Sequence, residues 1–132
     1  MKRDLHFDAF YPHPPERVWT ALTNRDEIAR WLMQNDFEPR LGHRFQLRAK
    51  PVGGWDGIVH CEVLELDAPR RMSWSWQSNK LKDTVLTFTL SPASGGTNLH
   101  LAHTGFQGFG ETMVSFILGS GWKTMMKTLM EN

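Results

Sequence analysis

Two spacings of apolar residues organise the chain. Near its C-terminal end Val114, Leu118, Trp122, Met125 and Leu129 recur every three or four residues, which sets them on one stripe of an α-helix. The pattern predicts a helix from Phe109 to Asn132, with Met113, Ile117 and Met126 broadening the stripe that must be buried. Lys123 and Lys127 lie off the stripe, where cations suit the negative end of the helix dipole. Gly119 and Gly121 interrupt this helix, each costing roughly 1 kcal/mol against alanine. Small residues there leave room beside the backbone for another group, and a bound ligand is one candidate.

Elsewhere the spacing is mostly two. Leu5 to Tyr11 alternates as a strand, and Pro12-His13-Pro14-Pro15 ends it and opens a helix whose apolar face is Val18, Trp19 and Leu22. Asn24 with Glu27 resembles a capping box for a second short helix, Arg25 to Leu32, which would bury Ile28, Trp31 and Leu32. From Phe37 the pattern turns to strands. Phe45, Leu47 and Ala49 oppose Arg44, Gln46, Arg48 and Lys50; a longer strand follows over Asp56 to Leu66, where mixed parity calls for a bulge near Leu64. Met72, Trp74 and Trp76, then Leu86, Phe88 and Leu90, then Leu99, Leu101 and His103 each form one face. Short turns join them, so the expected class is α+β. A curved antiparallel sheet of about six strands grips the long C-terminal helix, with two short helices after the first strand. The span 1–132 fits one domain, large enough for a real core.

Composition narrows the partners. A net charge of +1 gives no reason to expect nucleic acid or an anionic membrane, and the basic row Arg44, Arg48, Lys50 reads as a solvated strand face. The single cysteine, Cys61, excludes an internal disulfide and a cysteine-rich metal centre. The opening Met1-Lys2-Arg3-Asp4 leads into no apolar signal region, so a cytoplasmic protein is expected. Six tryptophans and seven methionines in so short a chain point either to a heavily packed core or to walls for a flat, greasy ligand.

Most catalytic chemistries find no support. His100 and His103 stand three apart on a strand and so face opposite ways, as do His60 and Cys61; His6 and Asp8 share a face but lack a third ligand. No metal and no cofactor are expected. There is no G-x-S-x-G elbow, and Cys61 lies in an apolar strand where a thiol is inert. Glu62 and Glu65 do not pair across a strand. Gly105-Phe106-Gln107-Gly108-Phe109-Gly110 has the spacing G-x-x-G-x-G without a βαβ unit, so an entrance loop with Phe106 and Phe109 as a lid is the better expectation than a phosphate cradle. His103 shares the inward parity of Leu99 and Leu101, and is the one weak candidate for an acid–base role or for orienting a ligand. The expected ligand-binding set is Trp31, Phe45, Trp74, Trp76, Phe88, Leu101, His103, Trp122 and Met126.

Several stretches resemble a known family. Pro15-Glu16-Arg17-Val18-Trp19-Thr20-Ala21-Leu22-Thr23 with Glu27-Ile28-Ala29-Arg30-Trp31 is similar to the opening signature of the START-like (SRPBCC, helix-grip, birch-pollen-allergen-like) superfamily. Phe37 to Phe45, Gly57 with Glu62 to Arg71, Ser75-Trp76, His103-Thr104-Gly105-Phe106 and Gly121-Trp122 resemble the branch related to the C-terminal domain of the activator of heat-shock protein 90 ATPase. His13 and His43 depart from its pattern, both in turns. The resemblance implies a sheet gripping the last helix, on a scaffold that hosts carriers, receptors, cyclases and chaperone regulators. The leading expectation is therefore binding of a small hydrophobic or aromatic ligand between sheet and helix. The alternatives are a module that regulates a chaperone ATPase, and a polyketide-cyclase-like enzyme using His103. Whether the chain is a monomer or a homodimer is left open.

Overall fold

A computed structural model describes residues 2–131. Ten elements follow one another: β1 (Lys2–Tyr11), α1 (Pro15–Thr23), α2 (Arg25–Trp31), β2 (Gln34–Asn35), β3 (Arg44–Arg48), β4 (Ile58–Asp67), β5 (Arg71–Ser78), β6 (Leu81–Ala93), β7 (Gly96–Gln107) and α3 (Gly108–Thr128). The strands form one antiparallel sheet in the order β1-β7-β6-β5-β4-β3-β2. It has seven strands; the addition to the expected six is β2, two residues paired with β3 and too short to show alternation. The expected bulge is present, as a register shift between Val63 and Glu65 that leaves Leu64 exposed.

The alternating residues meet as the pattern requires. Leu101 on β7 stands opposite Phe88 on β6 and Phe7 on β1, while Trp74 stands opposite Leu86. Met72, Trp74, Trp76, Leu86, Phe88, Leu99 and Leu101 are buried on the inner face. β6 and β7 run well beyond Leu86–Leu90 and Leu99–His103, because Ala93 pairs with Gly96 across a two-residue turn that lets the ladder continue to its limit. Gly96 is obligatory: a Cβ there would sit 2.1 Å from the carbonyl oxygen of Tyr11.

Helix α1 starts on Pro15 at its first turn, and α2 is capped by Asn24, whose side chain accepts from the Glu27 amide. Together they bury Val18, Ala21, Leu22, Ile28 and Trp31, with the Trp31 indole donating to the Ala21 carbonyl at 2.8 Å.

Helix α3 departs from its expected stripe in an informative way. Its buried line is Ser115, Trp122, Met126 and Leu129, whereas Val114, Leu118 and Met125 are half-buried and Met113 and Ile117 are exposed. The N-terminal half thus meets the sheet through small residues. Gly119 faces β1, where an added Cβ would lie 3.7 Å from Phe7 and 3.8 Å from Leu5, an ordinary contact. The C-terminal half is held by bulk, and by the Tyr11 hydroxyl, which donates to the Met126 carbonyl at 2.6 Å. That carbonyl belongs to the last helical turn and has no partner within the helix. Burial raises the Tyr11 phenol to about 12, so it stays a donor throughout the physiological range. The expected end of the helix at Asn132 lies outside the described residues.

Replacing Tyr11 by Phe leaves the Met126 carbonyl buried without its donor and is expected to lower unfolding stability by about 1–3 kcal/mol. A denaturant midpoint identical to wild type would show that this bond does not hold the helix.

Candidate functional site

The N-terminal half of α3 lies close to β1 at Gly119, and a groove of about 1270 Å³ opens between its other side and strands β4, β5 and β6. One wall is α3 itself, through Val114, Leu118, Gly121 and Met125, which repeat at helical spacing. Trp76, Val59, Leu81 and Met33 line the sheet side. The rim is made of the loop around Val52, Gly53 and Trp55 and of the end of the β5–β6 hairpin, its turn included, from Ser78 to Asp83. These two rim segments are tied together by Asn79, which donates to the Gly54 carbonyl at 2.9 Å. Glu111 fastens the helix to the turn: one carboxylate oxygen accepts from the Lys82 amide and the other from the Gln107 amide, each at 2.9 Å. Such a carboxylate also complements the positive end of the helix dipole.

Gly121 opens into this groove. An added Cβ there would meet only the end of Met125, at 3.9 Å. The two helix glycines therefore serve different ends, Gly119 facing the strand and Gly121 the hollow.

The residues expected to line a ligand site sort into two aromatic clusters and two further core positions, and one cluster member also stands on the groove wall. Trp76 lines the groove. Trp31, Phe45, Trp74 and Phe88, joined by Phe37, form an edge-to-face cluster with ring centroids 5.1–6.3 Å apart. Edge-to-face contacts set the positive edge of one ring against the negative face of the next, and none of these five residues lines the groove. Leu101 is wholly buried and Met126 nearly so, both in the core. His103 and Trp122, with Phe106 and Trp76, make the second cluster. Phe106 is wholly buried against His103, and β7 runs directly into α3. This corrects the expected entrance loop and its Phe106–Phe109 lid: there is no loop, and of the two rings only Phe109 is exposed.

His103 is saturated. The Trp122 indole can only donate, so His103 Nδ1 accepts from it, at 3.1 Å. The Thr84 hydroxyl donates to the Trp76 carbonyl at 2.6 Å, leaving its oxygen to accept from His103 Nε2–H at 3.0 Å. The four groups form one directed chain that only a neutral imidazole can complete. Burial lowers the His103 pKa to about 3. A protonated ring would point a second N–H at the indole N–H, so the geometry and the desolvation act in the same direction.

The remaining candidates are placed elsewhere. Cys61 is buried, and burial, aided by Asp36, pushes its thiol well above the usual range. On the outer face of β1 and β7 His100 joins the His6–Asp8 pair: His100 Nδ1 lies 2.8 Å from an Asp8 carboxylate oxygen, and His100 Nε2 lies 3.2 Å from His6 Nδ1. Among the described residues no group of three or more His, Cys, Asp or Glu has the geometry to hold a metal ion. No helix among them is long and apolar enough to cross a membrane.

Thr84, Trp55, Met33 and the hairpin end Ser78–Asp83 were not singled out by the pattern. A tryptophan beside Gly53-Gly54 was the available signal for the rim, since a bulky ring in a glycine turn has no strand to bury it.

A seven-stranded antiparallel sheet closed by its C-terminal helix, with an open groove between the two, is the helix-grip arrangement of the START-like superfamily. Residues 12–132 match the family described as activator of Hsp90 ATPase homolog 1-like protein, and the chain belongs to that family. Its fold is shared with MLL2253 from Mesorhizobium loti, at 33% identity over 96% of this chain and 93% of that one, with a TM-score of 0.85. CalU16 from Micromonospora echinospora is 27% identical, with 97% and 74% of the two chains covered and a TM-score of 0.78. BH1534 from Bacillus halodurans is 24% identical, with coverage of 96% and 94% and a TM-score of 0.79, a likeness of fold. No match was found among curated proteins.

The lowered His103 pKa has a definite consequence for stability. Below about pH 6.5 the unfolded chain takes up a proton at this histidine and the folded chain does not, so stability falls as pH drops towards 3, by up to about 1.4 kcal/mol per pH unit. Replacing His103 by Gln removes that component. Urea midpoints measured from about pH 6.5 to 4.5 should fall more steeply for wild type than for the variant, and parallel curves would show that His103 is not held neutral.

Proposed function

We propose that the protein binds a small apolar or aromatic molecule in the groove between the sheet and α3, without chemistry at His103. The observation that carries this reading is the groove itself, a hollow of about 1270 Å³ walled by Trp76, Val114, Leu118 and Met125. Ligand sites of this kind are concave and mostly apolar, with a few polar groups at the edge. The cyclase-like alternative loses its acid–base, because both nitrogens of His103 are already committed within the core. A general base must reach the proton that it removes.

The neutral fluorophore N-phenyl-1-naphthylamine tests the groove. Wild type is expected to bind it with enhanced emission and with quenching of tryptophan fluorescence. Gly121→Phe should weaken binding at least about tenfold by filling the groove, with stability changed little because the new ring enters open space. Gly121→Ala should bind like wild type. Equal affinity for wild type and Gly121→Phe would place the probe elsewhere and end this reading.

One observation supports a second reading, a module that docks on a chaperone of the kind named by the family. Phe109, Met113, Phe116 and Ile117 form an exposed apolar stripe on α3, with the Arg3 guanidinium 4.1 Å from the Phe116 ring centre. Such a patch is unusual on a surface without a partner. This reading expects the protein to change the ATPase rate of an Hsp90-type chaperone and a Phe109→Ser, Met113→Ser variant to lose the effect. No change in rate with wild-type protein would dispose of it.

A further inference from the structure

The apolar walls say nothing about the rim, where the charges are unevenly committed. Four ionisable side chains line the groove: Lys80, Lys82, Asp83 and Glu111. Both carboxylates are occupied. Glu111 accepts two backbone amides, and Asp83 accepts from the Gln77 side-chain amide at 3.1 Å. The two ammonium groups are not. Among the described residues neither Lys80 nor Lys82 takes part in an ion pair or donates a side-chain hydrogen bond, although seven arginines pair with carboxylates elsewhere on the surface.

Their placement is directional. Lys82 stands at the start of β6, in the bulge that separates the Trp76–Thr84 and Ser78–Leu81 pairs, and its side chain lines the groove where it opens. Lys80 reaches from the β5–β6 turn over the opposite rim: a Cβ built on Gly54 would lie 3.0 Å from its ammonium nitrogen and 3.4 Å from the adjoining carbon. The hairpin end that carries both lysines is braced at two points, through Asn79 to Gly54 and through the Lys82 amide to Glu111. Two free cations thus overhang the entrance of a hollow that is greasy below.

Resting on the groove reading above, we propose that the natural occupant is an amphiphile with an apolar body and a single anionic head, a carboxylate or similar group. The body lies against Trp76, Val114, Leu118 and Met125 while Lys80 and Lys82 hold the head at the rim. An ammonium beside low-dielectric walls attracts an anion more strongly than it does in open water. Lysine suits the task because its stem covers apolar surface while the charge stays at the solvent edge.

The test uses two probes with the same aromatic body: neutral N-phenyl-1-naphthylamine and 8-anilinonaphthalene-1-sulfonate, which adds one anionic group. Wild-type protein is expected to bind the anionic probe about tenfold more tightly at low salt, with the preference shrinking as ionic strength rises. A Lys80→Gln, Lys82→Gln variant should lose the preference and keep its affinity for the neutral probe. That second readout also reports that the variant is folded. Equal binding of the two probes by wild type, or a preference untouched by the lysine substitutions, overturns the headgroup proposal and leaves the groove reading intact. Failure of wild type to bind either probe overturns both.

Discussion

The structure depends on one internal connection, the chain of donors and acceptors from Trp122 through His103 and Thr84 to the Trp76 backbone. It ties the last helix to β7, β6 and β5 at once. The energy and the position come from different sources. Burying an indole removes about 150–250 Å² from water, worth roughly 4–6 kcal/mol, whereas a net hydrogen bond contributes about 1 kcal/mol. Hydrophobic burial therefore pulls Trp122 into the sheet, and the imidazole decides where the ring stops. A buried polar chain with every member satisfied is specific in a way that an all-apolar contact is not.

That fixed point explains the groove. Below it α3 is seated by Met126, Leu129 and the Tyr11–Met126 bond; above it the small residues Ser115 and Gly119 are turned inward, and at Gly119 the helix comes close to Phe7 and Leu5 of β1. The helix thus lies along the β1 side of the sheet, and Val114, Leu118, Gly121 and Met125 face the gap left towards β4, β5 and β6. The apolar residues at the N-terminal half are divided between the groove and solvent: Met113 and Phe116 are exposed away from it, while Ile117, also exposed, stands at its edge. The same geometry separates two kinds of aromatic residue. Rings near α2 pack largely edge to face within the core, and among the described residues only Trp76 belongs both to a cluster and to the groove wall.

Alternation made the sheet legible, and the mixed parity around Leu64 even located its bulge. The capping pair Asn24–Glu27 and the proline before α1 placed the short helices equally well. The site was much less legible. Periodicity tells which residues leave water, but a core wall and a cavity wall are both apolar, so Trp74 and Phe88 could not be told from Trp76 by pattern. What separates them is whether a partner ring arrives from another element, a fact of tertiary packing. Besides the tryptophan in the Gly53-Gly54 turn, Gly121 carried a usable local signal, a residue with no reason to be small unless space is needed beside it. His103 was correctly placed inward by parity, yet its neutrality depends on Thr84 and Trp122, each nineteen positions away along the chain.

The protonation state of His103 tests this arrangement most directly. Imidazole nitrogen resonances, read by long-range proton–nitrogen correlation on the labelled protein, distinguish the two tautomers and the cation. The directed chain requires a proton on Nε2 and a bare Nδ1, unchanged from neutral pH down to about pH 5. A ring that titrates near its ordinary value, or one that carries its proton on Nδ1, would contradict the anchor on which the seating of the helix and the groove both rest.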